Sequence, residues 1–357
     1  MDAKITKTRL AQTLSYDWVK VVALALAVIF FWVLIFTWTA TRITNTQKYV
    51  IHNYFGVSLG DGFYSAYEGY GKGKIFSYEV FEVENVNVNQ EQSLGYQLLE
   101  TRFAVGEADA MIIADIPDPN NYYDAEGNQL SQIPEDGKYV TKSYLEGFAR
   151  SSYSGYMTRL DDGENGKKGL FTQMKEYLMQ FYTVTETTEK TYNGFTFAVA
   201  TFDEASLNEE EVIKQFTDRV KANKDKRFKT EEEWAQGYKD ELARIRSYQQ
   251  AYKTVFDYLD KGYIALTAWS YDVPSAPWFV KGGAYSINLC PPANEGETPK
   301  MDSLKNDFYY RAGEEGKTYT TAENMNVLFV ELEGLDGDFK YENILFVNDI
   351  VARHVKA

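Results

Sequence analysis

The chain has 357 residues, 44% of them apolar, and a formal charge of −15. That is enough apolar material for a sizeable core, and the negative balance argues against nucleic acid or anionic lipid as a partner of the folded body. One cysteine, Cys290, excludes an internal disulfide, and also excludes lipid anchoring through a cysteine directly after an apolar leader.

Near the start, Val21–Thr41 carries no charge. At helical rise it spans roughly 31 Å, the hydrocarbon thickness of a bilayer. It is read as a transmembrane helix. A cleaved signal peptide is the alternative, but its apolar core is shorter, about 7–15 residues, and ends in small residues rather than Phe, Trp and Thr. Lys4, Lys7, Arg9 and Lys20 precede the span, so the positive-inside rule expects 1–20 as a cytoplasmic tail, 21–41 as the span and 42–47 as a spacer. Residues 48–357 are then an extracytoplasmic domain, in a single-pass protein of the cell membrane. That remainder holds a charge of −17, because the tail contributes four basic and two acidic groups. A body without disulfides or N-x-[ST] sequons suits a bacterial envelope.

In chain order, "KYVIHNYFG" reads as a first strand and "DGFYSAYEGYG" as a two-turn helix. Ile75–Val88, rich in aromatic and β-branched residues, reads as a second strand. Leu94, Leu98, Leu99 and Phe103 give an amphipathic helix stopped at Gly106, and "AMIIAD" gives a third strand. Strands this apolar, alternating with helices, predict a parallel sheet covered on both faces. Asp115 would then stand at the carboxyl end of a parallel strand, where open α/β sheets put their ligands.

Pro117–Gly137 reads as loop, followed by partly helical sequence over 139–160, near-helical spacing of Leu170, Met174, Leu178 and Phe181, and a strand at "GFTFAVATFD". Ser206 with Glu209, and Thr230 with Glu233, have capping-box spacing and predict helices to Ala222 and from Glu231 to Lys261. The basic stretch Arg219–Lys229 between them reads as a solvated hinge, or as a dock for acidic partners. "YIALTAW", "GGAYSINL" and "MNVLFVEL" read as strands, "SLKNDFYY" as a short helix, and the segment after Tyr341 as a helix or a strand-helix unit.

His52 and His354 have no metal-spaced neighbours and read as structural. Nucleophile-elbow, Walker, C-x-x-C and H-E-x-x-H motifs are absent, so hydrolase, nucleotide and zinc readings are poor and no cofactor is expected. The acidic loops 160–166 and 333–339 lack EF-hand spacing and read as solvated turns. The 28 tyrosines are the anomaly. Rings can stack on sugar C–H faces, and "NYF" (Asn53, Tyr54, Phe55) and "WSYDVPSAPW" (Trp269, Tyr271, Trp278) are the candidate ligand residues beside Asp115.

The order of "YVIHNYFG", a helix, "SYEVFEVE", a second helix and "VGEADAMIIAD", over residues 48–116, resembles the extracellular solute-binding proteins of ABC importers, carbohydrate-type family. "GAYSINL", "MNVLFVEL" and "YENILFVNDIV" are a weaker likeness near the end. The resemblance implies a two-lobed periplasmic-binding-protein-like α/β fold after the transmembrane helix, with Asp115 facing the interlobe cleft. It further implies a non-enzymatic protein that holds a small solute, a sugar or oligosaccharide, and works with an ABC permease in the membrane. The alternative is a structural or interaction protein of the cell envelope that uses this fold without a ligand. A glycosidase with two carboxylates is a third reading, resting on composition alone.

Overall fold

The computed structural model of the chain describes residues 7–39, 47–70, 75–78, 80–88, 92–124, 129–130, 132–135, 137–163, 166–269, 282–313, 317–331 and 341–355. The chain divides into two compact units, Met1–Thr44 and Asn45–Ala357.

The described residues of the first unit form one helix, α1 (Lys7–Thr39). Its window Trp18–Phe36 is long and apolar enough to cross a membrane, and none of it is buried. A helix satisfies its own backbone groups, which is what lets such a segment lie in hydrocarbon.

The second unit opens with β1 (Lys48–Asn53), β2 (Ser58–Leu59), α2 (Asp61–Tyr67), β3 (Gly69–Tyr70), β4 (Glu82–Asn87), α3 (Gln92–Ala104) and β5 (Ala110–Ala114). The β-α-β-α-β order is as expected, with two corrections. The second strand is confined to Glu82–Asn87, because the aromatic side chain of Phe76 packs into the core from non-strand backbone. On α3 the buried face is Leu99 and Phe103, whereas Leu94 is 56% exposed. Gly106, at φ +76°, supplies the left-handed turn that ends this helix.

Next come β6 (Pro117–Tyr123), β7 (Gln129–Leu130), β8 (Val140–Ser143), α4 (Tyr144–Ala149) and α5 (Leu170–Leu178). Pro117–Gly137 is therefore not all loop: β6 pairs with both β7 and β8. β9 (Val184–Tyr192) and β10 (Phe195–Phe202) form a hairpin through Asn193-Gly194, both at positive φ, the pairing favoured in two-residue hairpin turns. Helices α6 (Glu209–Ala222) and α7 (Glu231–Asp260) follow. Thr230 and Glu233 make the predicted capping box. Ser206 does not cap α6. Asn208 does, accepting from Glu211 N, while Ser206 Oγ accepts from Thr183 N.

The chain closes with β11 (Ala265–Ala268), β12 (Ala284–Asn288), β13 (Phe308–Ala312), β14 (Tyr319–Thr321), β15 (Met325–Phe329) and α8 (Glu342–His354). "SLKNDFYY" is a 3₁₀ turn over Asp302–Asn306 running into β13, not a helix throughout.

Seven strands form the main sheet in the order β11-β12-β15-β5-β1-β4-β3. β1 is parallel to β4 and β5; β15 lies antiparallel on β5, and β12 antiparallel on β15. The sheet is mixed rather than all parallel. Side-chain alternation sends Tyr49, Ile51 and Ile112 into a core with α5, α7 and α8, and Val50, Met111 and Ile113 into a second core with Leu99, Leu145 and Phe148. Both faces are covered, as the apolar strands require. Strands from the two ends of the sequence join in this one sheet, so the described residues of the unit make one compact body. The other sheets have only two or three strands, and a two-lobed division is not seen among the described residues.

Candidate functional site

From β1 the chain moves to β4 on one side, then α3 carries it back across β1 to β5 on the other. Connections that leave a parallel strand in opposite directions open a crevice outside its carboxyl end. Asn53, Tyr54 and Phe55 follow from β1 at this end, and Asp115 follows β5. Tyr54 N donates to Ile112 O at 2.9 Å, and Asp115 N to Asn324 O at 2.9 Å, fixing both turns to neighbouring strands.

Asn53 is fully buried; its Nδ2 donates to Val57 O at 3.0 Å, while Oδ1 has no partner among the described residues. Gly56 takes φ +81°, and a Cβ there would fall 2.5 Å from the Tyr144 ring. Tyr144 is held over the turn because its N–H donates to Ile116 O, and Ser143 Oγ caps α4 by accepting from Glu146 N. Burial, then the charges of Asp118 and Tyr96, push the Tyr144 hydroxyl up to about 12. Burial also raises the Asp118 carboxyl, with Asn120 N–H pulling the other way.

The predicted stacking rings are not open. Tyr54 is 3% and Phe55 7% exposed, Tyr54 meeting Phe148 edge-on at 5.3 Å and Phe55 lying 5.0 Å from Tyr96. They belong to the core on that sheet face; the more accessible rings are Tyr96 and Tyr144. Asp115 is half-buried on the same sheet face as Tyr54.

Beside Asp115 lies a polar network that the sequence reading missed. Thr267 and Ser286 hydroxyls donate to Asn326 Oδ1 at 2.7 and 3.2 Å. Asn326 Nδ2 donates to Asn324 O, and Asn288 Nδ2 to Asn324 Oδ1. The signal was Ser286/Asn288 within otherwise apolar β12, and Asn324/Asn326 at the start of otherwise apolar β15.

Trp269 is not part of this end. It follows β11, whose last residue pairs with the first of β12, at the sheet end where β5 begins. There it is 1% exposed and stacked on Tyr285 at 4.8 Å. Tyr271 and Trp278 lie outside the described residues, as does the loop 333–339.

Among the described residues the two histidines differ: both ring nitrogens of His52 lack a hydrogen-bond partner, whereas His354 is held on both sides. His52 is buried against Phe103, and desolvation, then Arg102, lowers its pKa to about 3, so it is neutral at physiological pH. His354 lies between Ser303 Oγ at 3.2 Å and Asp307 Oδ2 at 3.0 Å, a serine-histidine-aspartate sequence of contacts. Asp307 also takes Arg353, and the Ser303 hydroxyl donates to the carbonyl of His354, so the cluster fastens the end of α8. In the 160–166 loop, Asp161 holds Arg159 and Ala284 N, and Asp162 accepts from Gly169 N. Among the described residues no group of three or more His, Cys, Asp or Glu could hold a metal.

No protein-family model, no curated protein and no solved structure matches this chain.

Proposed function

We propose that the chain is a membrane-tethered solute-binding component of an importer, with residues 48–357 on the extracytoplasmic side, taking a small polar solute at the carboxyl end of β1 and β5. The observation that carries this is that Tyr54 and Asp115 follow the adjacent parallel strands β1 and β5 on one sheet face at a topological switch point, beside the Asn324/Asn326 network. The basic flank before Trp18–Phe36 supports the orientation. A sugar is the solute class we favour, since half-buried Tyr144 and Tyr96, 39% exposed, leave ring surface at the crevice mouth. A permease in the same membrane is the partner this reading requires. The test is titration with sugars and oligosaccharides. Asp115→Ala should weaken binding at least about tenfold, about 1.4 kcal/mol.

A second reading, a ligand-free interaction protein of the envelope, is favoured by one observation. Tyr54, Phe55 and Trp269, three of the predicted contact residues, are spent on core packing. The exposed lysines Lys221, Lys224, Lys226 and Lys229 between α6 and α7 would then face an acidic partner. Cross-linking in membranes that recovers a stoichiometric partner through these lysines, with no ligand bound, would favour it.

A further inference from the structure

The β9–β10 hairpin is a two-stranded sheet, and its two outer edges are not alike. On β10, Ala198 O accepts from Lys175 Nζ at 3.1 Å and Ala200 N donates to Tyr252 Oη at 3.3 Å. These residues therefore turn their backbone groups away from β9, and have partners there. Across the ladder they face Glu189 and Thr187. Opposed residues of an antiparallel pair turn their backbone groups either toward each other or both away, so Glu189 and Thr187 present theirs on the outer edge of β9. Among the described residues no strand pairs with that edge and no hydrogen bond is made to those outward groups. Thr185 to Glu189 are exposed one after another. An unpaired edge that is rich in Thr and free of Pro is a template for another strand.

The sequence of β9 selects the strand that fits. A second copy of β9, laid antiparallel, must bring its own outward residues opposite Thr187 and Glu189, which places the two-fold axis through a residue rather than between two. Axes through Glu186, Glu189 or Lys190 set like charges directly opposite, which is destabilising, and an axis through Thr187 sets Lys190 against Val184. An axis through Thr188, the centre of this nine-residue strand, sets Glu186 opposite Lys190 and Thr187 opposite Glu189, each of them twice. Lys190 bonds Asp260 of its own copy, and its ammonium has donors left for Glu186.

We propose that two copies of this chain associate through β9, pairing antiparallel about Thr188 into a four-stranded sheet in the order β10-β9-β9-β10. The contact is isologous and consumes the open edge of each copy, so association closes at two. It is separate from the solute site proposed at the sheet end and does not depend on it.

The test uses the full-length protein in detergent micelles, where sedimentation should give a dimer. Thr187→Pro removes an outward N–H and no β9–β10 ladder bond, and Glu186→Lys sets like charges opposite at an exposed position. Each should raise the dimer Kd at least about tenfold, with the unfolding midpoint of the protein held within about 3 °C. Thr188→Cys should form an intermolecular disulfide under mild oxidation, because residues on the axis are a non-hydrogen-bonded pair with Cα atoms about 4.5 Å apart. Glu186→Cys, whose two copies would lie on the order of 14 Å apart, should not. Cys290 is buried and stays out of the reaction. The proposal is overturned if the protein is monomeric up to about 100 μM. It is overturned equally by a dimer that Thr187→Pro and Glu186→Lys leave intact, or by Glu186→Cys cross-linking as readily as Thr188→Cys.

Discussion

Asp109 Oδ2 accepts the backbone N–H of Val50 at 2.7 Å, pinning the turn before β5 to the middle of β1. Burial lifts the Asp109 pKa to about 7, while the Val50 N–H opposes the shift. The folded state therefore holds this proton more tightly than the unfolded chain. Its contribution to stability is fully present below the unfolded pKa, near 4, and is lost as pH rises toward 7, by at most about 4 kcal/mol. Asp109→Asn keeps an acceptor for Val50 but cannot ionise. Urea unfolding should show the variant more stable than the parent at pH 8, with the gap closing by about pH 4.

Gly56 and Tyr144 make a second close relationship. Alanine at position 56 must adopt φ +81°, costing about 1–2 kcal/mol, and its methyl displaces the Tyr144 ring. Gly56→Ala should lower stability by at least that amount. Adding Tyr144→Ala should recover the steric part alone, which thermal melts of the single and double variants would measure.

Glu241, 4% exposed, accepts from Arg244, from Arg219 at 2.9 Å and from Tyr78 at 3.2 Å. Removing it leaves the guanidinium of Arg244, 7% exposed, without its hydrogen-bonded carboxylate. Glu241→Ala should cost about 3–5 kcal/mol, and Arg244→Met added to it should restore part of that loss in chemical denaturation.

Cys290 is buried, and desolvation, then Glu323 and Asp302, push its thiol up to about 12. The thiolate is the reactive form, so a disulfide reagent at pH 8 should leave the native protein unlabelled and titrate its single thiol on denaturation.

Much of the sheet was legible because its strands obey local rules. "AMIIA" is buried at all five positions and reads as an unbroken apolar run; Gly106 and Gly262 mark the ends of α3 and α7; Thr230 and Glu233 carry their own helix start. What was hidden depends on long-range pairing. Met325 opposite Ala114 joins the last part of the chain to the first, and no local periodicity says that β15 should lie antiparallel on β5 rather than build a lobe of its own. The β9 strand was missed because its Thr- and Glu-rich sequence is exposed, although Asn193-Gly194 announced the turn. The candidate site was half readable. Asn53, Tyr54 and Asp115 come to the same end of the sheet because strand order follows from β-α-β units, whereas Trp269 has the right residue type but lies at the other sheet end.

The most direct test of solute capture is thermal unfolding of the full-length protein in micelles against sugars, oligosaccharides, peptides and amino acids, with Asp115→Ala in parallel. A ligand at a hundred times its Kd adds about 2.7 kcal/mol, a shift of at least about 2 °C for a domain of this size. Capture at the sheet end predicts a saturable shift with one solute class that Asp115→Ala abolishes. No shift across the panel, or only shifts that survive Asp115→Ala, would contradict it.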